Sequence, residues 1–206
     1  MNLPNKITLS RICLIPIFVL VFFLDKVLPF AHGFAAIIFI LAACTDFIDG
    51  HIARSRGLVT NLGKFLDPIA DKVLVSTAML LILTMGKSLF AFFGVHAEWI
   101  YIATAVCICV IMARELIISA FRQIAAVNGV VMAADKLGKF KTIFQDVAIG
   151  IILSASGIIS VLPVDYKVWG VYLAYLGLIT FAVATVLTVW SGIAYVMNNK
   201  QVLKDA

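Results

Sequence analysis

Apolar residues in this chain gather into six long runs, at 7–30, 33–53, 62–85, 99–124, 140–162 and 168–197. Each meets the ~20 residues that an α-helix needs to cross the hydrocarbon core of a bilayer. The breaks between them are short and polar, at 32–33, 54–61, 86–98, 126–139 and 163–167. The pattern predicts an all-α membrane protein with six transmembrane helices. No internal repeat, low-complexity stretch or long linker is visible, so residues 1–206 read as a single transmembrane domain. Met1 to Ser10 is polar, and the apolar run after it leads into further spans rather than to a cleavage site. No cleavable signal peptide is expected.

Composition agrees with the pattern. The 206 residues are 63% hydrophobic and 13% charged, where a soluble domain carries about a quarter charged residues. The net charge of +5 acquires a meaning only from where the cations fall. With the N-terminus inside, the outer connections hold just Lys26, Lys87 and Lys167 of the 16 Lys and Arg residues. The positive-inside rule therefore gives an N-in, C-in orientation. Cations so distributed serve an anionic inner leaflet and anionic substrates, which argues against a nucleic-acid partner. Trp99, Tyr166 and Trp169 fall where an outer aromatic belt is expected. Cys13, Cys44, Cys107 and Cys109 all lie in apolar runs without a CxxC pair, and read as small buried hydrophobes rather than disulfide or zinc residues.

Ionisable groups are costly within a membrane and default there to a functional role. The second run ends in Asp46-Phe47-Ile48-Asp49-Gly50, and the third opens with Gly63 and carries Asp67 and Asp71. Asp46 and Asp49 are three apart, Asp67 and Asp71 four apart, so each pair shares a helix face. The short connection between the two helices makes them antiparallel neighbours, and the pairs converge at the depth of lipid phosphates. Carboxylates this close must be protonated or neutralised by cations. A site of hard, anionic oxygen ligands suits Mg²⁺ or Mn²⁺ better than Zn²⁺. Four such ligands can hold two ions, the common arrangement for phosphoryl displacement. Gly50 and Gly63 allow a ligand close to the backbone, and Arg54 offers a guanidinium fork for phosphate. His51 sits close to Asp49 and could be mistaken for a metal ligand, while His32 and His96 fall near the outer face.

Asp46-x-x-Asp49-Gly50-x-x-Ala53-Arg54, eight residues, then Gly63-x-x-x-Asp67-x-x-x-Asp71 resembles the full signature of the CDP-alcohol phosphatidyltransferase family. The start, Asn5-x-x-Thr8-x-x-Arg11, is similar to the short amphipathic segment that opens the family's chains. Met112-Ala113-Arg114-Glu115 and Leu137-Gly138-Lys139-Phe140-Lys141-Thr142 resemble the branch that uses glycerol 3-phosphate. The resemblance spans essentially the whole chain, with no departure at a signature position. It implies six transmembrane helices, usually in a homodimer, and transfer of a phosphatidyl group from a CDP-linked lipid to an alcohol with release of CMP. It also implies that Asp46 and Asp67 bridge two metal ions, that Asp49 binds one and that Asp71 binds the other and acts as general base. Gly50, Arg54 and Thr60 would contact the CDP-lipid, with Asn5 and Thr8 near the nucleotide and Gly63 in the same subsite.

These residues support a direct displacement in which a hydroxyl of sn-glycerol 3-phosphate attacks the phosphorus bearing the diacylglycerol of CDP-diacylglycerol. The product is phosphatidylglycerophosphate. No Ser-His or Cys-His pair for a covalent intermediate is legible. A phosphorylated acceptor needs cations. Arg114 and Arg122 are eight apart, roughly on one face of the fourth helix, and Lys139 and Lys141 open the fifth helix on the same side. Positive-inside bias alone would also place cations there. Asp146 lies deep in the fifth run without an assigned role. One alternative keeps the chemistry and changes the acceptor to inositol phosphate, serine, choline or phosphatidylglycerol. Another is a cation-coupled transporter, for which Pro68 supplies a candidate helix break but no partner break or repeat is visible. A third is a scaffold with structural ion pairs. The expected place is a bacterial cytoplasmic (inner) membrane, with the site facing the cytoplasm.

Overall fold

A computed structural model describes residues 3–55, 61–87, 89–127 and 136–199. Side chains are described throughout these ranges except at 3–5, 46–55, 61–65, 87, 126–127 and 136–137. Six long α-helices account for most of them: α1 (Leu3–Phe22), α2 (Ala31–Ser55), α3 (Asn61–Thr84), α4 (Ala97–Val127), α5 (Lys136–Val161) and α6 (Lys167–Asn198). Short 3₁₀ turns close the connections after α1, α3 and α5.

The observed α-helices follow the apolar runs along the chain but differ from them at their ends. The opening polar segment is not a separate element, because α1 already begins at Leu3. Pro4 falls in the first turn, where its missing N–H would have no intrahelical partner. The first apolar run does not stay α-helical to residue 30 either: a 3₁₀ turn occupies Phe23–Lys26, where Asp25, Lys26 and Pro29 interrupt the pattern. Pro68 does not break the third helix, since α3 runs through it. The 86–98 connection is more than a polar break. Leu89, Phe90 and Phe93 are buried, and the Phe93 ring meets Tyr175 of α6 with centroids 4.5 Å apart.

Packing brings α5 along α6, and α2 against both α1 and α5, while α1 also packs along α3 and α4 along α6. The main core results, with Phe18, Phe39, Leu74, Met79, Ile82, Ile108, Ile111, Ile149 and Ile152 all buried. Small residues set the closest approach. A Cβ on Gly157 of α5 would lie 2.4 Å from the backbone nitrogen of Gly33 in α2, so the two backbones are nearly in contact, as small-residue interfaces in membrane bundles allow. Gly157→Leu is expected to destabilise the bundle by about 1–3 kcal/mol, the usual cost of overpacking. A thermal melt of the detergent-solubilised protein measures it.

The outside of the bundle is as apolar as its interior. Leu20, Leu116, Ile117, Ile179 and Val186 are all exposed. Among the described residues, four helical stretches are long and apolar enough to cross a membrane: Lys6–Lys26, Phe90–Ala125, Gly138–Val161 and Val164–Asn198. A shorter apolar helix covers Ala31–Thr45. Trp99, Tyr166 and Trp169 are exposed where α4 and α6 begin. The cysteines correct an expectation: Cys13, Cys44 and Cys109 are exposed and Cys107 is half-buried. In a bundle with an apolar exterior, apolar neighbours in sequence do not say which side of a helix turns inward.

Candidate active site

The packing of α1 on α3 creates the first half of the site. Asp67 and Asp71 are half-buried one turn apart on α3, on the side that also buries Ala70 and Leu74. Thr8 of α1 is buried against them and donates its hydroxyl to Asp67 Oδ1 over 2.7 Å. Arg11 follows three residues later on the same helix face. It is one of the largest fully buried side chains in the molecule. A buried guanidinium is rare unless it is paired, so a cation this deep belongs to the electrostatics of this end of the bundle.

The second half is cationic and comes from α4, α5 and α6. Lys141 of α5 is 5% exposed and forms an ion pair with Glu115 of α4. Arg114 reaches the same carboxylate oxygen at 3.4 Å and donates from Nη2 to Ser191 Oγ of α6 at 2.9 Å. The Arg114 side chain runs against Gly192, where a Cβ would come within 3.0 Å of Nε. Lys72, next to Asp71, donates to Ser119 Oγ on α4. The charges of Asp71, Arg114, Lys72 and Asp146 all act on Lys141. Lys72 in turn senses Asp71, Arg114 and Arg122. Carboxylates of α3 and cations of three other helices therefore share one electrostatic environment.

Not every residue singled out by sequence enters that cluster in the same way. Arg122 is engaged by Tyr195 of α6, through a 3.1 Å hydrogen bond from Nε to the phenol oxygen and by stacking 5.1 Å above its ring. Lys139 is exposed while Lys141 is buried, the two lying on opposite sides of one helix. Asp146 is half-buried and lines an apolar groove of about 590 Å³ with Phe39, Ile40 and Cys44 of α2. Asp46, Asp49, Gly50 and Arg54 lie on α2, Gly63 on α3 and Asn5 on α1, but their side chains are outside the described residues, and Thr60 is outside them altogether. Among the described residues, no group of three or more His, Cys, Asp or Glu converges.

Several partners were not legible beforehand. Lys72, Ser119, Ser191 and Tyr195 carry no motif. A weak signal existed in α6. Ser191 and Tyr195 are four apart on α6, on one face, just as Arg114 and Arg122 recur on one face of α4.

The arrangement places half-buried carboxylates, able to hold hard cations or accept a proton, beside cations that can hold an anion. It is suited to a reaction between phosphorylated molecules. The comparisons with known proteins agree. Relatives that span the whole molecule include a CDP-diacylglycerol–glycerol-3-phosphate 3-phosphatidyltransferase of Bacillus subtilis (strain 168), 38% identical over 100% of this chain and 98% of its own length. Enzymes of the same name from Escherichia coli (strain K12) and Shigella flexneri are each 39% identical over 99% of this chain and 98% of theirs. The family model described as CDP-alcohol phosphatidyltransferase matches residues 1–190, and the chain belongs to that family.

Proposed function

We propose that this enzyme transfers the phosphatidyl group of CDP-diacylglycerol to sn-glycerol 3-phosphate, giving phosphatidylglycerophosphate and CMP. The observation that carries the choice of acceptor is the buried Lys141 beside Arg114, within electrostatic reach of Asp71. A cation is costly to bury in apolar surroundings, and a phosphate-bearing acceptor gives these two a purpose that a neutral alcohol would not. The full-length relatives named for this reaction point the same way.

In this reading Arg114 and Lys141 grip the acceptor's phosphate, with Arg122 and Lys139 farther out, and so orient its hydroxyl toward the lipid phosphorus. Asp71 accepts the hydroxyl proton. The freed oxygen forms a bond to the phosphorus that carries diacylglycerol as the bond from that phosphorus to CMP breaks, and CMP leaves with the electron pair. Asn5, Thr8, Gly50, Arg54, Thr60 and Gly63 bind the CDP-lipid. The described carboxylates fit a hard divalent ion, since Asp67 and Asp71 offer only oxygen. With Asp46 and Asp49 they would hold two Mg²⁺ or Mn²⁺ ions. Bound there, the metal neutralises phosphoryl oxygens and the leaving phosphate. Thr8, through its bond to Asp67, orients that carboxylate.

The same reading makes the chain a single domain of six transmembrane helices in a homodimer, N-in and C-in, in a bacterial cytoplasmic membrane. The site ends of α1, α3, α4 and α5 then face the cytoplasm, where both the acceptor and CMP are soluble. The acceptor is tested by offering equal concentrations of glycerol 3-phosphate, inositol phosphate, serine, choline and phosphatidylglycerol to the purified enzyme and identifying the lipid formed. Phosphatidylglycerophosphate as the dominant product is the expected result. Another dominant product would keep the transfer chemistry and overturn the assignment of Arg114 and Lys141.

A further inference from the structure

Glu115 stands where a negative charge is needed. The side chains of Arg114 and Lys141 are 14% and 6% exposed, so their like charges repel in surroundings that screen poorly. One oxygen of Glu115, Oε1, meets both of them. The carboxylate side chain is the more exposed member of the trio, at 28%, so it has room to leave. It is also next to Arg114 in sequence, and adjacent residues do not face each other on a helix. Glu115 therefore reaches the cations from one side rather than packing behind them.

We propose that Glu115 is a specificity-determining residue, whose carboxylate occupies the place of the acceptor's phosphate in the acceptor-free site and yields it when a phosphate arrives. The inference rests on the reading that Arg114 and Lys141 bind that phosphate. An acceptor that brings a dianion replaces one negative charge by two and gains by the exchange. A neutral alcohol brings nothing to neutralise the two cations, leaves the Glu115 pair intact and is not held. The residue thus selects by charge, through competition rather than by contact with the reacting atoms.

The test uses the purified full-length enzyme with CDP-diacylglycerol and Mg²⁺, with inorganic phosphate as a competing probe. Glu115→Gln keeps the shape and removes the competing charge. The KM for glycerol 3-phosphate is expected to fall roughly two- to fivefold, the range for releasing a part-exposed ion pair. The inhibition constant of inorganic phosphate should fall with it, and kcat should hold near its wild-type value. A purely structural ion pair would instead leave both constants unchanged or raise them, and either result overturns the proposal. Lys141→Met, measured alongside, separates the two levels. If it raises the KM while Glu115→Gln changes nothing, the phosphate-binding reading stands and the competition falls. If neither variant moves the KM, both fall. Should Glu115→Gln not be recovered folded, Glu115→Asp keeps the charge on a shorter stem. A smaller drop in both constants would support the competition, and no drop would overturn it.

Discussion

Asp71→Asn is expected to lower kcat by about 10²–10⁴-fold, the usual cost of losing a positioned general base. Asparagine matches the aspartate in size, so the half-buried position on α3 should tolerate it without repacking. What is lost is the basic oxygen proposed to take the hydroxyl proton. The same residue is proposed to bind metal, and the two roles separate by measurement. Turnover is followed by CMP release, and Mn²⁺ affinity by electron paramagnetic resonance of the same preparation. A large loss of kcat at saturating Mn²⁺ assigns the base. Near wild-type turnover with metal still bound would remove it.

Arg114→Ala is expected to raise the KM for glycerol 3-phosphate by roughly 10²-fold. That corresponds to the 2–5 kcal/mol lost when one partner of a buried, hydrogen-bonded charge pair is truncated. The guanidinium is held in place before any substrate arrives: Ser191 accepts from Nη2 and Gly192 leaves the space in which it lies. Such support means that little side-chain entropy remains to be lost on binding. The effect should appear in KM for the acceptor and not in KM for CDP-diacylglycerol. An unchanged acceptor KM in initial-rate measurements would show that the phosphate is held elsewhere.

The placing of Asp67 and Asp71 one turn apart on α3 was legible because a carboxylate in an apolar run stands out and a spacing of four puts both on one helix face. The tie between Thr8 and Asp67 was legible only as a neighbourhood of the nucleotide. The bond itself follows from α1 packing along α3, a long-range contact that no local pattern encodes. Lys139 and Lys141 looked equivalent in sequence, yet one is exposed and the other buried. The apolar residues around them do not report which face of α5 turns inward. The same blindness misplaced the cysteines. Pro68 illustrates the opposite failure, where a strong local signal for a break was overridden by a helix that continues through it. Helix ends were the weakest readings, since Pro4 starts a helix as readily as it stops one.

The most direct test of the account is CMP release from CDP-diacylglycerol by the purified protein, with and without divalent metal and with and without glycerol 3-phosphate. Release that requires both, with phosphatidylglycerophosphate as the lipid product, is the expected result. Release that proceeds without metal, or is indifferent to glycerol 3-phosphate, would contradict it.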